Sequence, residues 1–255
     1  MTDEQTLPDM QGAYCPVPLQ QKETIVMGHG SGGKMMHDLI ADIFVSAFDN
    51  PTRAAGNDAG SVLMQTGSKL AISTDSHVVK PLFFPGGDIG KLAICGTVND
   101  VAMLGAKPLY LTAGFILEEG LDVEVLRKVV TSMQETADEA GISIIAGDTK
   151  VVEKGKADGI YITTAGVGEI LHYPQEIGGQ MARPGDKVIL SGTIGDHGIA
   201  VLGARGDLGF ESNVVSDVAP LSGMILSLLE VSANIHVLRD PTRVSIRCMW
   251  PMKES

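Results

Sequence analysis

Gly28-His29-Gly30-Ser31-Gly32-Gly33-Lys34-Met35 is the stretch on which the fold turns. Gly28 and the Gly33-Lys34 pair stand at the spacing of a P-loop, yet Met35 occupies the position where that loop needs a Ser or Thr hydroxyl for Mg²⁺. Glycines packed this closely let the backbone turn through positive φ and bring several N–H donors onto one anion. Three readings are open at this point. One is a P-loop NTPase, in which Ala71-Ile72-Ser73-Thr74-Asp75 carries a second magnesium aspartate; another is a glycine turn that holds nothing. The third is a magnesium nucleotide site of a different fold, because Asp58, Asp75, Asp100 and Asp148 are hard oxygen ligands set at the ends of apolar segments.

Outward from the loop, Ile25-Val26-Met27 reads as a short strand, and Met35/Met36, Leu39/Ile40, Ile43/Phe44 and Ala47/Phe48 repeat at helical spacing. Residues 61–65 and 69–74, joined by Thr66-Gly67-Ser68, predict a hairpin that delivers Asp75 at its end. A loop with Pro81, Pro85, Gly86 and Gly87 precedes a helix over 88–104, stopped by Gly105 and Pro108. A strand over 109–117, an amphipathic helix over 121–140 closed by Gly141, a strand over 142–146 entering Gly147-Asp148-Thr149-Lys150, and a strand over 160–168 complete the pattern. The hairpin and sheet-like runs predict a mixed α+β layer rather than an all-parallel sheet. This domain spans 23–181, behind a flexible arm over 1–22. A partial α/β unit over 182–243 offers a strand over 188–191 and helices over 199–204 and 218–231; residues 244–255 form an atypical tail without periodicity.

With 255 residues, 44% hydrophobic content and 31 glycines, the chain can bury a sizeable core. Its net charge of −12 disfavours nucleic acid and anionic membrane as partners, since no basic face replaces phosphate counterions. Cys15, Cys95 and Cys248 are odd in number and lack C-x-x-C spacing, which supports neither a disulfide framework nor a zinc knuckle. The start, Met1 to Gln11, has no apolar h-region, and no apolar run approaches the ~20 residues of a membrane span, so a soluble cytoplasmic protein is expected. Asp100, beside Asn99 among small apolar residues, needs a positive partner if it is buried and ionised, and a metal would supply one. His37, His77, His172 and His236 show no ligand spacing and read as structural, whereas His29 and His197 lie in glycine loops where a phosphate or catalytic role competes with a structural one.

Five segments then combine: Gly28-His29-Gly30-Ser31-Gly32-Gly33; Ser73-Thr74-Asp75-Ser76; Pro81-Leu82-Phe83-Phe84-Pro85-Gly86-Gly87-Asp88-Ile89-Gly90-Lys91-Leu92-Ala93; Gly96-Thr97-Val98-Asn99-Asp100; and Gly147-Asp148-Thr149-Lys150. Together they resemble the HypE family of hydrogenase maturation proteins, over about 25–243. That family sits in the aminoimidazole ribonucleotide synthetase superfamily with selenophosphate synthetase and thiamine-monophosphate kinase, which bind ATP in a fold unrelated to the P-loop. The resemblance implies a PurM-like amino-terminal domain that pairs through its sheet into a homodimer, with ATP sites at the seam. It implies Mg²⁺ held by Asp58, Asp75, Asp100 and Asp148, nucleotide contacts from Gly28, His29, Gly30, Ser31, Gly32, Gly33, Asn99, Asp148 and Thr149, and catalytic roles for Lys150 and His29. Asn57-Asp58 stands where the family often has two acidic residues. The implied activity is ATP-dependent dehydration of a cysteine-bound carboxamide to a thiocyanate, supplying cyanide to the iron of nickel–iron hydrogenase. The implied partners are the carbamoyl transferase HypF and a HypC–HypD scaffold complex.

In the family, Arg239-Asp240-Pro241-Thr242-Arg243 continues into glycines and ends in a tail whose last residue is the acceptor cysteine. Residues 244–255 follow neither pattern, and Cys248 does not match that acceptor. The sequence therefore predicts a HypE-type chain with intact nucleotide-binding elements and an incomplete carboxy-terminal domain, which does not itself make thiocyanate, set against a module that only binds nucleotide and dimerises. It also predicts that residues beyond 182 are looser than the domain before them.

Overall fold

The computed structural model describes residues 24–31, 33–48, 57–207, 209 and 212–241. The arm over 1–22, Gly32, and the tail with Cys248 lie outside the described residues. Two compact units make up the chain, Met1–Phe48 and Asp49–Ser255.

In the first unit, the run expected as a strand closes on itself instead. The His29 amide donates to the Val26 carbonyl at 2.9 Å, and the Val26 amide donates to His29 Nδ1 at 3.0 Å. Residues 27–30 thus form a 3₁₀ turn rather than a strand. A strand needs a ladder partner for its backbone groups, and the described residues of this unit contain none. Helix α1 (Lys34–Leu39) follows and widens into a π-helical turn over Ile40–Val45.

The second unit is organised by Asp88. Its carboxylate caps helix α2 (Ile89–Ala102), accepting from the amides of Gly90 at 2.7 Å and Lys91 at 3.2 Å. Strands β1 (Gly60–Leu63), β2 (Lys69–His77) and the short pair β3 (Phe83–Phe84) and β4 (Gly87–Asp88) precede α2. After it come β5 (Ala106–Glu118), α3 (Val123–Ala140), β6 (Ser143–Val152) and β7 (Ile160–Ile170). Among the described residues, five strands form one sheet in the order β1-β2-β7-β5-β6, antiparallel except for the β5–β6 pair. This is the mixed α+β layer expected from the pattern.

Helix α3 begins on Asp122, which accepts from the Glu124 amide at 2.8 Å, and ends where Gly141 takes φ +69°. Its buried stripe of Val129, Met133 and Ala137 packs with Ile89, Ala93, Ile94 and Val98 of α2 over Leu111, Ala113, Ile160 and Ile162 of the sheet. Gly90 permits the approach of α2 to α3: a Cβ there would lie 2.4 Å from the Val129 carbonyl oxygen. Thr97 and Thr164 share a hydrogen bond of 2.6 Å, which fixes α2 along β7.

Several boundaries differ from the sequence reading. Strand β2 runs on to His77 because β7 pairs with it as far as Ile162, so Asp75 lies inside the strand. Strand β6 likewise continues through Gly147-Asp148-Thr149-Lys150 along its parallel partner. The strand expected over 188–191 is irregular backbone, with Val188 and Ile189 75% and 85% exposed. β-branched content without a neighbouring strand does not make one. Helices α4 (Asp196–Arg205) and α5 (Ser222–Val231) do form. The second starts late because Pro220 disfavours helix at the residue before it.

Candidate nucleotide and metal site

Alternation along β2 places Ser73, Asp75 and His77 on the face that α2 covers. The last turn of α2 brings Asp100 down onto them, and the Ser73 hydroxyl donates to Asp100 Oδ2 at 2.9 Å. Gly96 makes this possible, since a Cβ at that position would meet His77 Cε1 at 2.9 Å and Asp75 Oδ2 at 3.1 Å. Asp58, just before β1, enters the same corner: the Ser73 hydroxyl lies 3.4 Å from its carbonyl oxygen.

Two further residues arrive from far along the chain. Tyr173 donates to the Ser232 carbonyl at 2.6 Å and accepts from the Ile235 amide at 2.9 Å, and Gln175 reaches the Ile235 carbonyl at 2.9 Å. The Gly178 amide donates to the His236 carbonyl at 3.1 Å. These bonds strap residues 232–236 to the segment after β7 and lead Arg239 and Asp240 to the corner. There Arg239 Nη1 lies 3.0 Å from Asp58 Oδ1.

The corner is electrostatically strained. Burial pushes Asp58 up to about 6, partly opposed by the Arg239 guanidinium. Burial likewise pushes Asp100 up to about 7; the Ser73 hydroxyl opposes the rise, while the charges of Asp58, Asp240 and Asp75 add to it. Burial here is met by a proton on Asp100 or by a positive partner such as Arg239 on Asp58; as carboxylates, their hard oxygens suit Mg²⁺.

Asp148 lies elsewhere. The row through Asp75 runs to Thr164, Ala113 and Gly147, across three strand spacings, or ~14 Å. Asp148 falls in the next row, with Ser76, Thr163 and Gly114, on the face that α2 and α3 leave open. There it sits 3.5 Å from Lys150, both strongly exposed. Thr149 is on the same edge strand. Among the described residues, no three His, Cys, Asp or Glu side chains are arranged to hold a metal within one chain. Asp58, Asp75 and Asp100 are near enough for their charges to act on one another without converging on one point, and Asp148 and Lys150 lie apart from them.

The amide of Asn99 is occupied, donating to the Ala219 carbonyl at 3.0 Å and accepting from the Leu221 amide at 2.7 Å. It anchors the segment that leads into α5. In the first unit, His29 is engaged with Val26, and the Ser31 hydroxyl donates to the Gly28 carbonyl at 2.8 Å. None of Gly28, Gly30 and Gly33 takes positive φ, contrary to the expected turn; at Gly30 the space where a Cβ would stand is open. His197 staples loops together: its Nδ1 lies 3.0 Å from the buried Ser216 hydroxyl, and its ring meets Phe84 edge-on at 5.2 Å.

Sequence reading missed Ser73, Arg239 and Asp240. Alternation on β2 could have found Ser73, which shares a face with Asp75. Nothing local marks Asp240, because its place depends on the strap.

Residues 56–170 match the model for the AIR synthase related protein, N-terminal domain. Carbamoyl dehydratase HypE of Cupriavidus necator is 52% identical over 219 residues, covering 86% of this chain and 62% of that protein. Its Escherichia coli counterpart is 49% identical over 232 residues, covering 88% of this chain and 68% of its own length. The chain belongs to the HypE family. A solved HypE–HypF complex matches at TM-score 0.73 and 56% identity over 80% of this chain and 65% of that one. HypE in complex with ATP matches at 0.66 and 51%, over 86% and 64%. Thiamine monophosphate kinase of Aquifex aeolicus, at 20% identity and TM-score 0.53, shares the PurM-like fold. That fold replaces the P-loop reading, and the hydroxyl missing at Met35 is no longer an anomaly. The chain spans 62% to 64% of the length of the HypE relatives from C. necator and Azotobacter vinelandii.

Proposed function

We propose that this chain carries the Mg-ATP site of an ATP-dependent carbamoyl dehydratase, which converts a cysteine-bound carboxamide to a thiocyanate and so supplies cyanide for nickel–iron hydrogenase. The observation that carries the reading is the likeness to HypE in complex with ATP, with the Ser73–Asp100 contact and Asp58 and Asp75 gathered in one corner beneath α2. Asp58, Asp75 and Asp100 would each offer oxygens to Mg²⁺ without forming a complete set within one chain, and Asp148 would join from a second copy. Support for that second copy comes from the open sheet face, where Ile72, Tyr110 and Ile116 are 41–47% exposed beside Asp148 and Lys150. An apolar face of this kind marks an interaction surface. Amides of Gly28, His29, Gly30, Ser31, Gly32 and Gly33 would cradle phosphates.

Magnesium, when bound, offsets charge on the transferring phosphoryl oxygens. Lys150 would supply a second positive contact, and His29 would take a proton from the amide nitrogen as the phosphorylated oxygen departs, once its Nδ1 gives up the Val26 amide. The carboxamide does not ride on Cys95, which is 2% exposed and whose thiol burial pushes up to about 12. HypF would act as the carbamoyl donor, since a relative has been solved as a HypE–HypF complex. A HypC–HypD complex would receive the cyanide, in the cytoplasm. Among the described residues, no helix is long and apolar enough to cross a membrane.

Calorimetry with Mg-ATP followed by a single-turnover assay with a carbamoylating partner tests this. Nucleotide binding is the expected result, and a thiocyanate adduct on the chain, seen by mass spectrometry, would show that this chain also turns over. Binding without product leaves a nucleotide-binding and dimerisation module, and no binding overturns the site.

A further inference from the structure

Asn99 and Asp100 are neighbours at the end of α2 and point different ways, since successive helical side chains leave the axis ~100° apart. Asp100 meets the Ser73 hydroxyl of β2, whereas the buried Asn99 amide is bonded to Ala219 and Leu221, 120 and 122 positions later. The same segment reaches the other end of the helix. The Ser216 amide donates to the Pro85 carbonyl at 2.8 Å, and the Ser216 hydroxyl accepts from the Val218 amide at 3.2 Å while meeting His197 Nδ1. Gly86 and Gly87 allow this approach: a Cβ on Gly86, at φ +90°, would lie 2.7 Å from the Ser216 nitrogen, and one on Gly87 2.8 Å from Val218 Cγ1. Leu221 and Ile225 then pack against Ala102 and Met103. We propose that Asn99 is a positioning residue, through which residues 216–221 set the last turn of α2 and so the place of Asp100, rather than a contact to the nucleotide. The inference rests on reading Asp100 as part of the Mg-ATP site.

The physical argument is one of satisfied polar groups on a rigid helix. The Asn99 carbonyl oxygen accepts from one backbone group of the segment and its amino group donates to another, and burial leaves no water to replace either partner. Helix α2 therefore cannot turn about its axis without breaking one of these bonds. Any such turn would also carry Asp100 off Ser73, because both side chains spring from the same helical turn. Asp100 has one hydrogen bond among the described residues, from Ser73, so the pair of bonds at Asn99 is the firmer constraint. The segment is itself held at its start by Pro85 and His197, which lie beside the hairpin that delivers Asp88, the cap of α2. Both ends of the helix are thus tied to one stretch of backbone.

The chain is titrated calorimetrically with Mg-ATP, and amide hydrogen exchange of the nucleotide-free protein is followed in parallel. Asn99→Ala is expected to bind about tenfold more weakly than the parent. Ser216→Ala acts at the far end of α2, which spans about 18 Å between Asp88 and Asp100, and is expected to bind about threefold more weakly. The double variant should be no weaker than about tenfold, because both losses act through one segment. In each variant the Met103 and Leu104 amides of the last turn should exchange faster while those of β7 keep the parent's rates, which separates local release from a general loss of stability. Ser216→Ala serves alone where Asn99→Ala does not fold. A Ser216→Ala chain that matches the parent in affinity, a double variant weakened about 30-fold, or unchanged exchange at Met103 and Leu104 overturns the proposal. Asp100→Asn separates the two levels. If it retains the parent's affinity, or if no form binds Mg-ATP, the site assignment is wrong and the proposal falls with it; if it loses affinity while Asn99→Ala and Ser216→Ala match the parent, only the positioning role fails.

Discussion

The corner where α2 crosses β2 and the outer edge of the sheet at β6 present the same residue type in opposite conditions. Asp75 and Asp100 are enclosed between helix and sheet, among Ser73, Asp58 and Arg239. Asp148, which the sequence presents in a similar apolar-run-then-aspartate pattern, stands on an edge strand with its side chain in solvent. Strand parity and sheet order produce the difference: one residue of register sends a side chain to the covered or the open face, and two strands, β7 and β5, lie between the two sites. A carboxylate in the corner is costly to its own chain, while one at the edge is nearly free. If both serve one nucleotide, the protein has divided the site between a strained half that it folds around and an exposed half that a second copy must bring.

The comparison can be broken at its packing. Gly96→Val would drive a side chain into His77 and Asp75, where even a Cβ meets atoms at 2.9 and 3.1 Å. A loss of about 3 kcal/mol is expected in urea denaturation, whereas Thr149→Val on the exposed edge changes stability by less than about 0.5 kcal/mol. Equal effects at the two positions would show that the edge is as closely packed as the corner.

Ligand binding sharpens the contrast. Asp75→Asn and Asp148→Asn should each weaken Mg-ATP binding about 100-fold, or about 2.7 kcal/mol, despite their different surroundings. The two variants mixed as refolded subunits should regain about a quarter of the parent's sites, because a heterodimer assembles one intact site and one doubly altered site. Calorimetric stoichiometry reads this out. If mixing restores nothing, Asp148 does not act across a dimer seam.

The pH dependence separates the halves next. Burial raises Asp58 to about 6 and Asp100 to about 7, so the folded state holds these protons more tightly than the unfolded chain does. Their favourable contribution is complete at acid pH, below the ordinary carboxylate range, and is lost as pH rises through about 6 and about 7. Metal-free protein should therefore weaken between about pH 4 and 7 and level off above, and Asp100→Asn should be more stable than the parent by about 2 kcal/mol at about pH 8, with the gap narrowing toward pH 5 and below. Urea midpoints at the two pH values decide it. A variant less stable than the parent at the higher pH would mean that Ser73 and the surrounding charges outweigh burial.

Much of this architecture could be read in the chain, and the omissions have a common cause. Helices α2 and α3 were legible because their caps, Asp88 and Asp122, and the stop at Gly141 are local. The lengths of β2 and β6 were not, since each is extended by ladder bonds to strands distant in sequence. Val188 and Ile189 read as strand yet have no such partner. Asp75 and Asp100 stand out in the sequence by their apolar settings and do lie near one another, but Asp148 could not be separated from them without knowing the strand order. Asp240 was invisible as a site residue because hydrogen bonds from Tyr173 and Gln175, some sixty positions away, lead to its place.

The smallest expected effect lies in the Asp148–Lys150 pair itself. At 3.5 Å, with the side chains 71% and 72% exposed, it gains little from Coulomb attraction in water and gives up side-chain freedom to form. Lys150→Met should move the urea midpoint by the equivalent of less than about 0.5 kcal/mol in dilute protein. The informative outcome is how that number changes with concentration. A second copy placed over Ile72, Tyr110 and Ile116 would take Lys150 out of solvent, and truncating one member of a covered charge pair leaves the other uncompensated. A cost that grows above about 1 kcal/mol as protein concentration rises would place the edge under a partner, while a cost small at every concentration would leave it facing water and remove the reason for assigning Asp148 to a shared site.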